Sequence, residues 1–149
     1  MQETTTIRPI AEADYEVWCQ LWRQYLAFYE TSLGDEIYRT SFSRMMSGNP
    51  GEFQGLLAEV QGKPVGLAHY LFHRSMWSVE NTCYLMDLFV DPHTRGTGIG
   101  RALIDAVHSK AAENGVTTTY WMTQEFNYKG RMLYDQVAEK TPFLVYEKH

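Results

Sequence analysis

The chain has 149 residues, 44% of them hydrophobic and 21% charged, which is ordinary for one soluble globular domain with a real core. Its net charge is −5 and its Lys and Arg are scattered, which argues against nucleic-acid binding through a basic face. Cys19 and Cys83 form no Cys-x-x-Cys pair, so zinc and dithiol redox chemistry have no support and no metal is expected.

No stretch approaches the length of a membrane span, and residues 1–6 are polar rather than a secretory leader. A reducing, cytoplasmic setting is the expectation. Ten tyrosines supply material for a core and for hydroxyl-lined clefts.

Residues 5–8 read as a first strand, ended by Pro9. Trp18, Leu21, Trp22, Tyr25, Leu26 and Tyr29 then fall at i, i+3, i+4, i+7, i+8 and i+11, one face of a helix that Asp14 is placed to cap. Residues 37–46 form a second, shorter helix, ended by Gly48-Asn49-Pro50-Gly51. Residues 55–60 and 64–72 flank Gln61-Gly62-Lys63 and read as a hairpin. Residues 82–90 are a further strand, ending at Asp91-Pro92.

Ile99, Leu103, Val107 and Ala111 then recur every fourth residue in a helix over 98–114, closed by Gly115. Residues 117–122 read as a strand, 127–137 as a short helix and 143–147 as a last strand. The order β, α, α, β, β, β, α, β, α, β predicts one α/β domain over residues 1–149, a mixed sheet with helices on both faces.

The segment Val90-Asp91-Pro92-His93-Thr94-Arg95-Gly96-Thr97-Gly98-Ile99-Gly100 joins a strand to a helix through a glycine-rich turn. Glycine admits positive φ and close backbone approach, and the helix start offers unpaired N–H groups and a positive dipole end. Arg95 and Arg101 add charge beside it. Such a turn can hold a pyrophosphate. The spacing does not fit a Walker-type loop, and the turn follows the fourth strand where a dinucleotide fold has it after the first. On spacing alone, a phosphate site and a plain tight turn are equally good readings.

Arg95-Gly96-Thr97-Gly98-Ile99-Gly100 resembles the Gln/Arg-x-x-Gly-x-Gly/Ala signature of the GCN5-related N-acetyltransferases, the GNAT family. Tyr84-Leu85-Met86-Asp87-Leu88-Phe89-Val90-Asp91, Tyr120-Trp121-Met122-Thr123 and Leu133-Tyr134 resemble the Hpa-type histone and polyamine acetyltransferases and their bacterial relatives. The similarity spans nearly all of residues 5–148.

The resemblance implies the GNAT fold, acetyl-CoA as cosubstrate, a primary-amine acceptor (polyamine, lysine-like molecule or protein lysine) and a homodimer paired through C-terminal segments. It implies that the strand at Leu88, Phe89 and Val90 bonds the pantetheine arm where the sheet splays after Leu88. It assigns the pyrophosphate to Arg95, Gly96, Thr97, Gly98, Ile99, Gly100 and Arg101, and places Asn127 and Tyr134 on the coenzyme arm. Tyr134 matches the tyrosine that protonates the departing thiolate, a role suited to a phenol of reference pKa about 10. Without the resemblance, Tyr134 would read as a packing residue.

The proton acceptor for the amine is open. Polyamine acetyltransferases carry Glu-Asp where this chain has Met86-Asp87, and Met86 takes no proton. Asp87, Glu125, a water chain or bulk solvent remain. Met86 also gives some weight to a degenerate acyl-CoA-binding module. His69 and His73 stand four apart in a strand, about 13 Å apart, and read as partly exposed residues, as His93 reads as a surface one. Tyr25 and Tyr29 could line the acceptor cleft.

Overall fold

The computed structural model describes residues 4–94 and 98–149. Within them, β1 (Thr5–Pro9) is followed by α1 (Tyr15–Phe28), α2 (Asp35–Met46), β2 (Gln54–Val60), β3 (Lys63–His73), β4 (Thr82–Val90), α3 (Ile99–Glu113), β5 (Thr119–Tyr120) and α4 (Tyr128–Val137). The five strands form one sheet in the order β1-β2-β3-β4-β5. Every neighbouring pair is antiparallel except β4 and β5, which run parallel across α3. The mixed sheet, with two helices on each face, is the α/β architecture the element order predicts.

Side-chain alternation divides the core in two. Leu56, Ala68, Cys83 and Leu85 meet α3 through Ile99, Leu103 and Val107, with Leu133 and Tyr134 of α4 packed beside them. Leu57, Leu67 and Phe89 point the other way, onto Trp18, Leu21 and Leu26 of α1 and Tyr38, Phe42 and Met45 of α2. The aromatic stripe of α1 is thus largely core. The β2–β3 turn has Gln61 at φ 52° and Gly62 at φ 78°, the positive pair of a tight hairpin turn.

Three local expectations change. Asp14 occupies the N-cap position of α1 but caps nothing there. Its carboxylate instead accepts from the Ala11 N–H at 2.7 Å and from Arg8 at 2.8 and 2.9 Å. Strand β5 keeps only Thr119 and Tyr120, because Trp121 turns from the sheet to pack on Tyr134. Residues 143–147 are not a strand. Phe143, Leu144, Val145 and Tyr146 are 74%, 78%, 64% and 90% exposed, and β-forming composition makes no strand without an edge to pair with. Among the described residues no helix is long and apolar enough to cross a membrane.

Candidate active site

Strand β4 positions the site through one irregularity. Leu85 lies opposite Tyr70 and Asp87 opposite His69, so Met86 is the extra residue of a β-bulge. The bulge resets the alternation. Leu85 and Leu88 both pack toward α3, whereas Phe89 packs toward α1. Asp87 also turns to α1, where the Tyr25 hydroxyl donates to its Oδ1 at 2.8 Å. In an unbroken strand Leu85 and Asp87 would share a face.

A second hydrogen bond ties Asp87 to the sheet. His69 Nδ1 lies 3.0 Å from Asp87 Oδ2, and His69 Nε2 lies 2.8 Å from Trp18 Nε1. An indole N–H only donates, so Nε2 accepts and the ring's proton sits on Nδ1, donated to Asp87. His69 is 7% exposed. It is therefore a buried link rather than the partly exposed residue its spacing from His73 suggests. His73 lies farther along β3 with its Nε2 2.8 Å from the Tyr120 hydroxyl.

The β4–β5 pairing ends at Tyr84 opposite Tyr120. From Leu85 onward no strand among the described residues lies beside the outer edge of β4, so the gap opens four residues before the expected point after Leu88. Such an edge presents unpaired N–H and C=O groups to a ligand. Beside it lies a narrow cavity of about 30 Å³ lined by Tyr25, Tyr29, Met86, Leu88, Trp121 and Tyr134. Burial raises the Tyr134 hydroxyl above its ordinary pKa of 10, and Tyr29 adds to the shift. Burial first, then the charge and hydrogen bond of Asp87, push the Tyr25 hydroxyl far higher. Both phenols therefore hold their protons at neutral pH.

A profile of the Acetyltransferase (GNAT) family matches residues 15–138. The D-amino-acid N-acetyltransferase HPA3 of Saccharomyces cerevisiae is 33% identical over 150 residues, covering 100% of this chain and 93% of that protein. The chain belongs to the GNAT acetyltransferase family and is an N-acetyltransferase. YhfO of Bacillus subtilis, an uncharacterized N-acetyltransferase, is 32% identical over 142 residues, 94% of each chain. The aminoglycoside N-acetyltransferase AAC(6')-Iy, solved with CoA, shares the fold: it superposes with a TM-score of 0.86 over 100% of this chain and 97% of its own, at 17% identity.

Of the residues expected to bind the coenzyme, Leu88 and Tyr134 line the cavity. Leu88 and Val90 pack on the α3 layer. The Phe89 ring is 8% exposed in the opposite core, so only its backbone faces the edge. Arg95, Gly96 and Thr97 lie outside the described residues. Gly98 caps α3 in the left-handed region, at φ 71°. The Ile99 side chain is 2% exposed and serves the core. A Cβ on Gly100 would lie 3.5 Å from Leu133 and 3.9 Å from Val90, so α3 begins close against α4 and the end of β4. Arg101 is exposed on the first turn of α3.

Asn127 is the N-cap of α4. Its side-chain oxygen accepts from the Gly130 N–H at 3.2 Å and its amide nitrogen donates to Thr123 at 2.9 Å. Glu125 is exposed and does not line the cavity. The chain Trp18–His69–Asp87–Tyr25 is what sequence reasoning missed. The available signal was Trp18: a buried indole N–H needs an acceptor, and no residue of its own helix supplies one.

Proposed function

We propose that this chain transfers an acetyl group from acetyl-CoA to a primary amine by direct attack of the amine on the thioester. The observation that carries the reading is the nearness of three parts: the open β4 edge from Leu85, the start of α3, where Gly100 lies close to Val90 and Leu133, and Tyr134 on the cavity beside the β4 edge. The parts suit an acyl-CoA. The edge offers N–H and C=O groups to an extended amide-bearing arm, the first-turn amides of α3 favour an anion, and the narrow cavity suits an acyl end.

In this reading Leu88 and Val90 bond the pantetheine arm through their backbone. Arg95 to Gly100, with Arg101 beside them, hold the pyrophosphate. A backbone N–H of β4 stabilises the charge that develops on the carbonyl oxygen, and Tyr134 protonates the leaving sulfur. An amine acceptor is supported by relatives named for D-amino acids and thialysine. The small volume and the aromatic walls favour a slender aminoalkyl end. Met86 occupies the bulge, so its lack of a carboxylate leaves Asp87 in place and gives no ground for a degenerate reading.

A homodimer is supported by the exposed apolar run Phe143 to Tyr146, which a second copy would cover. Two free cysteines suit a cytoplasmic setting. The test is release of free CoA from acetyl-CoA across a panel of polyamines, lysine analogues, D-amino acids and lysine peptides. Amine-dependent release supports the reading; saturable acetyl-CoA binding with no release from any amine would overturn it.

A further inference from the structure

A primary amine is mostly protonated at neutral pH and has no free lone pair until it gives up a proton. Tyr134, which keeps its own proton for the sulfur, cannot also receive that one. Among the described residues, a carboxylate stands one hydrogen bond behind the cavity wall: Tyr25 lines the cavity, and its hydroxyl donates to Asp87 Oδ1 at 2.8 Å. Asp87 is not among the residues that line the cavity, whereas its partner Tyr25 is.

We propose that Tyr25 and Asp87 act as one proton acceptor: the ammonium gives a proton to the Tyr25 oxygen while the Tyr25 hydroxyl proton passes to Asp87, which His69 holds in position. The proposal rests on the acetyltransferase reading above. R–NH₃⁺ becomes R–NH₂, the Asp87 carboxylate becomes the acid, and Tyr25 is a neutral phenol before and after. The freed lone pair then bonds to the acyl carbon as the carbon–sulfur bond breaks. Tyr134 gives its proton to sulfur and regains one from the new amide nitrogen. Asp87 returns its proton to solvent through Tyr25, so each turnover releases one proton overall.

Packing prepares this pair. The Tyr25 ring stacks on Trp22 at 4.7 Å and 13° and meets Phe89 edge-on at 6.3 Å, which fixes where the hydroxyl points. The strongly raised Tyr25 pKa suits a relay and not an independent base. The titratable groups facing the pair are His69 of β3, Tyr84 of β4, Tyr29 of α1 and, across the cavity, Tyr134. Among the described residues no lysine or arginine pairs with Asp87. His69 acts through Asp87 alone and is a positioning residue: Trp18 fixes one ring nitrogen so that the other must donate.

The experiment is the pH profile of kcat/KM for Asp87→Asn, Tyr25→Phe, His69→Ala and His69→Asn, with acetyl-CoA affinity and Tm measured alongside. At neutral pH Asp87→Asn should lose about 100-fold or more, and Tyr25→Phe at least about 10-fold. Both deficits should shrink as pH rises toward the pKa of the amine, because bulk solvent then supplies the free base. His69→Asn keeps an amide donor near the position of Nδ1 and should outperform His69→Ala. Both lose the acceptor for Trp18, so their difference isolates the bond to Asp87. Tyr25→Phe keeps the ring and its stacking, and decides the matter if Asp87→Asn does not fold. Variants with parental kcat/KM at neutral pH, or with a deficit equal at every pH, would overturn the proton chain alone. A parent that turns over no amine would overturn both it and the reading on which it rests.

Discussion

The Trp121 and Tyr134 rings meet edge to face with centroids 5.5 Å apart and planes at 68°. The contact links the segment leaving β5 to α4 and holds the phenol on the cavity beside the open β4 edge. A hydroxyl fixed there, with its pKa raised by burial, stays protonated and available to a leaving thiolate.

Tyr134→Phe keeps that ring contact and removes only the hydroxyl. General acid catalysis supplies roughly 100-fold to 10,000-fold, so kcat should fall by at least about 10-fold where chemistry limits turnover. Acetyl-CoA affinity should change little. Steady-state kinetics with a confirmed amine, together with calorimetry, check both. Wild-type kcat across the pH range would mean that another group, or none, serves the sulfur.

Gly98→Val should weaken acetyl-CoA binding, and the structure refines the reason. Nothing lies within 4 Å of a Cβ built at Gly98, so the chain itself leaves room, but φ there is +71°. A β-branched residue in that region costs of order 1–3 kcal/mol and would pull the α3 amides out of place. The expected result is a lower Tm and weaker affinity together. Unchanged affinity in a folded Gly98→Val protein would remove the first turn of α3 from the binding site.

Asp14 gives a pH-dependent term in stability. Its hydrogen bonds with Arg8 hold the carboxyl below the usual 3.8, ahead of the opposing effect of burial. A depressed folded-state pKa contributes stability above the unfolded value and loses it as pH falls through the folded one. Asp14→Asn should therefore lower Tm at neutral pH, and the gap from the parent should narrow as pH drops below 3.8. Arg8 also bonds Glu59 of β2, so the same change should loosen the end of the β1–β2 pairing. Parallel melting curves for the two proteins at neutral and acid pH make the comparison. A constant gap would show that the pair carries no linkage.

Local rules reached most of the architecture. The α1 stripe, the residues of β4 and the Gly115 stop of α3 each follow from periodicity or a single conformational demand, and each is found in place. What stayed hidden depends on contacts across the chain. The Met86 bulge is a mismatch between two strands and leaves no mark in β4 alone. His69 is buried because Trp18, 51 residues away, and Asp87, 18 away, both reach it. The run from Phe143 to Tyr146 has β-forming side chains but pairs with no strand among the described residues. The gap beside β4 was legible only through the family resemblance.

That run should set the oligomeric state. Light scattering at micromolar concentration should give about twice 17.3 kDa for the full chain. Removal of residues 143–149 should shift the protein toward the monomer without unfolding α4, because the run from Phe143 to Tyr146 is largely exposed. A full-length mass near 17.3 kDa would contradict the dimer.

Mass spectrometry of the acceptor after incubation with acetyl-CoA tests the central claim most directly. The account predicts an amine one acetyl group heavier, modified at nitrogen, formed in step with free CoA and much more slowly by Tyr134→Phe. Release of CoA at the same rate with and without amine, with every acceptor recovered unchanged, would contradict it.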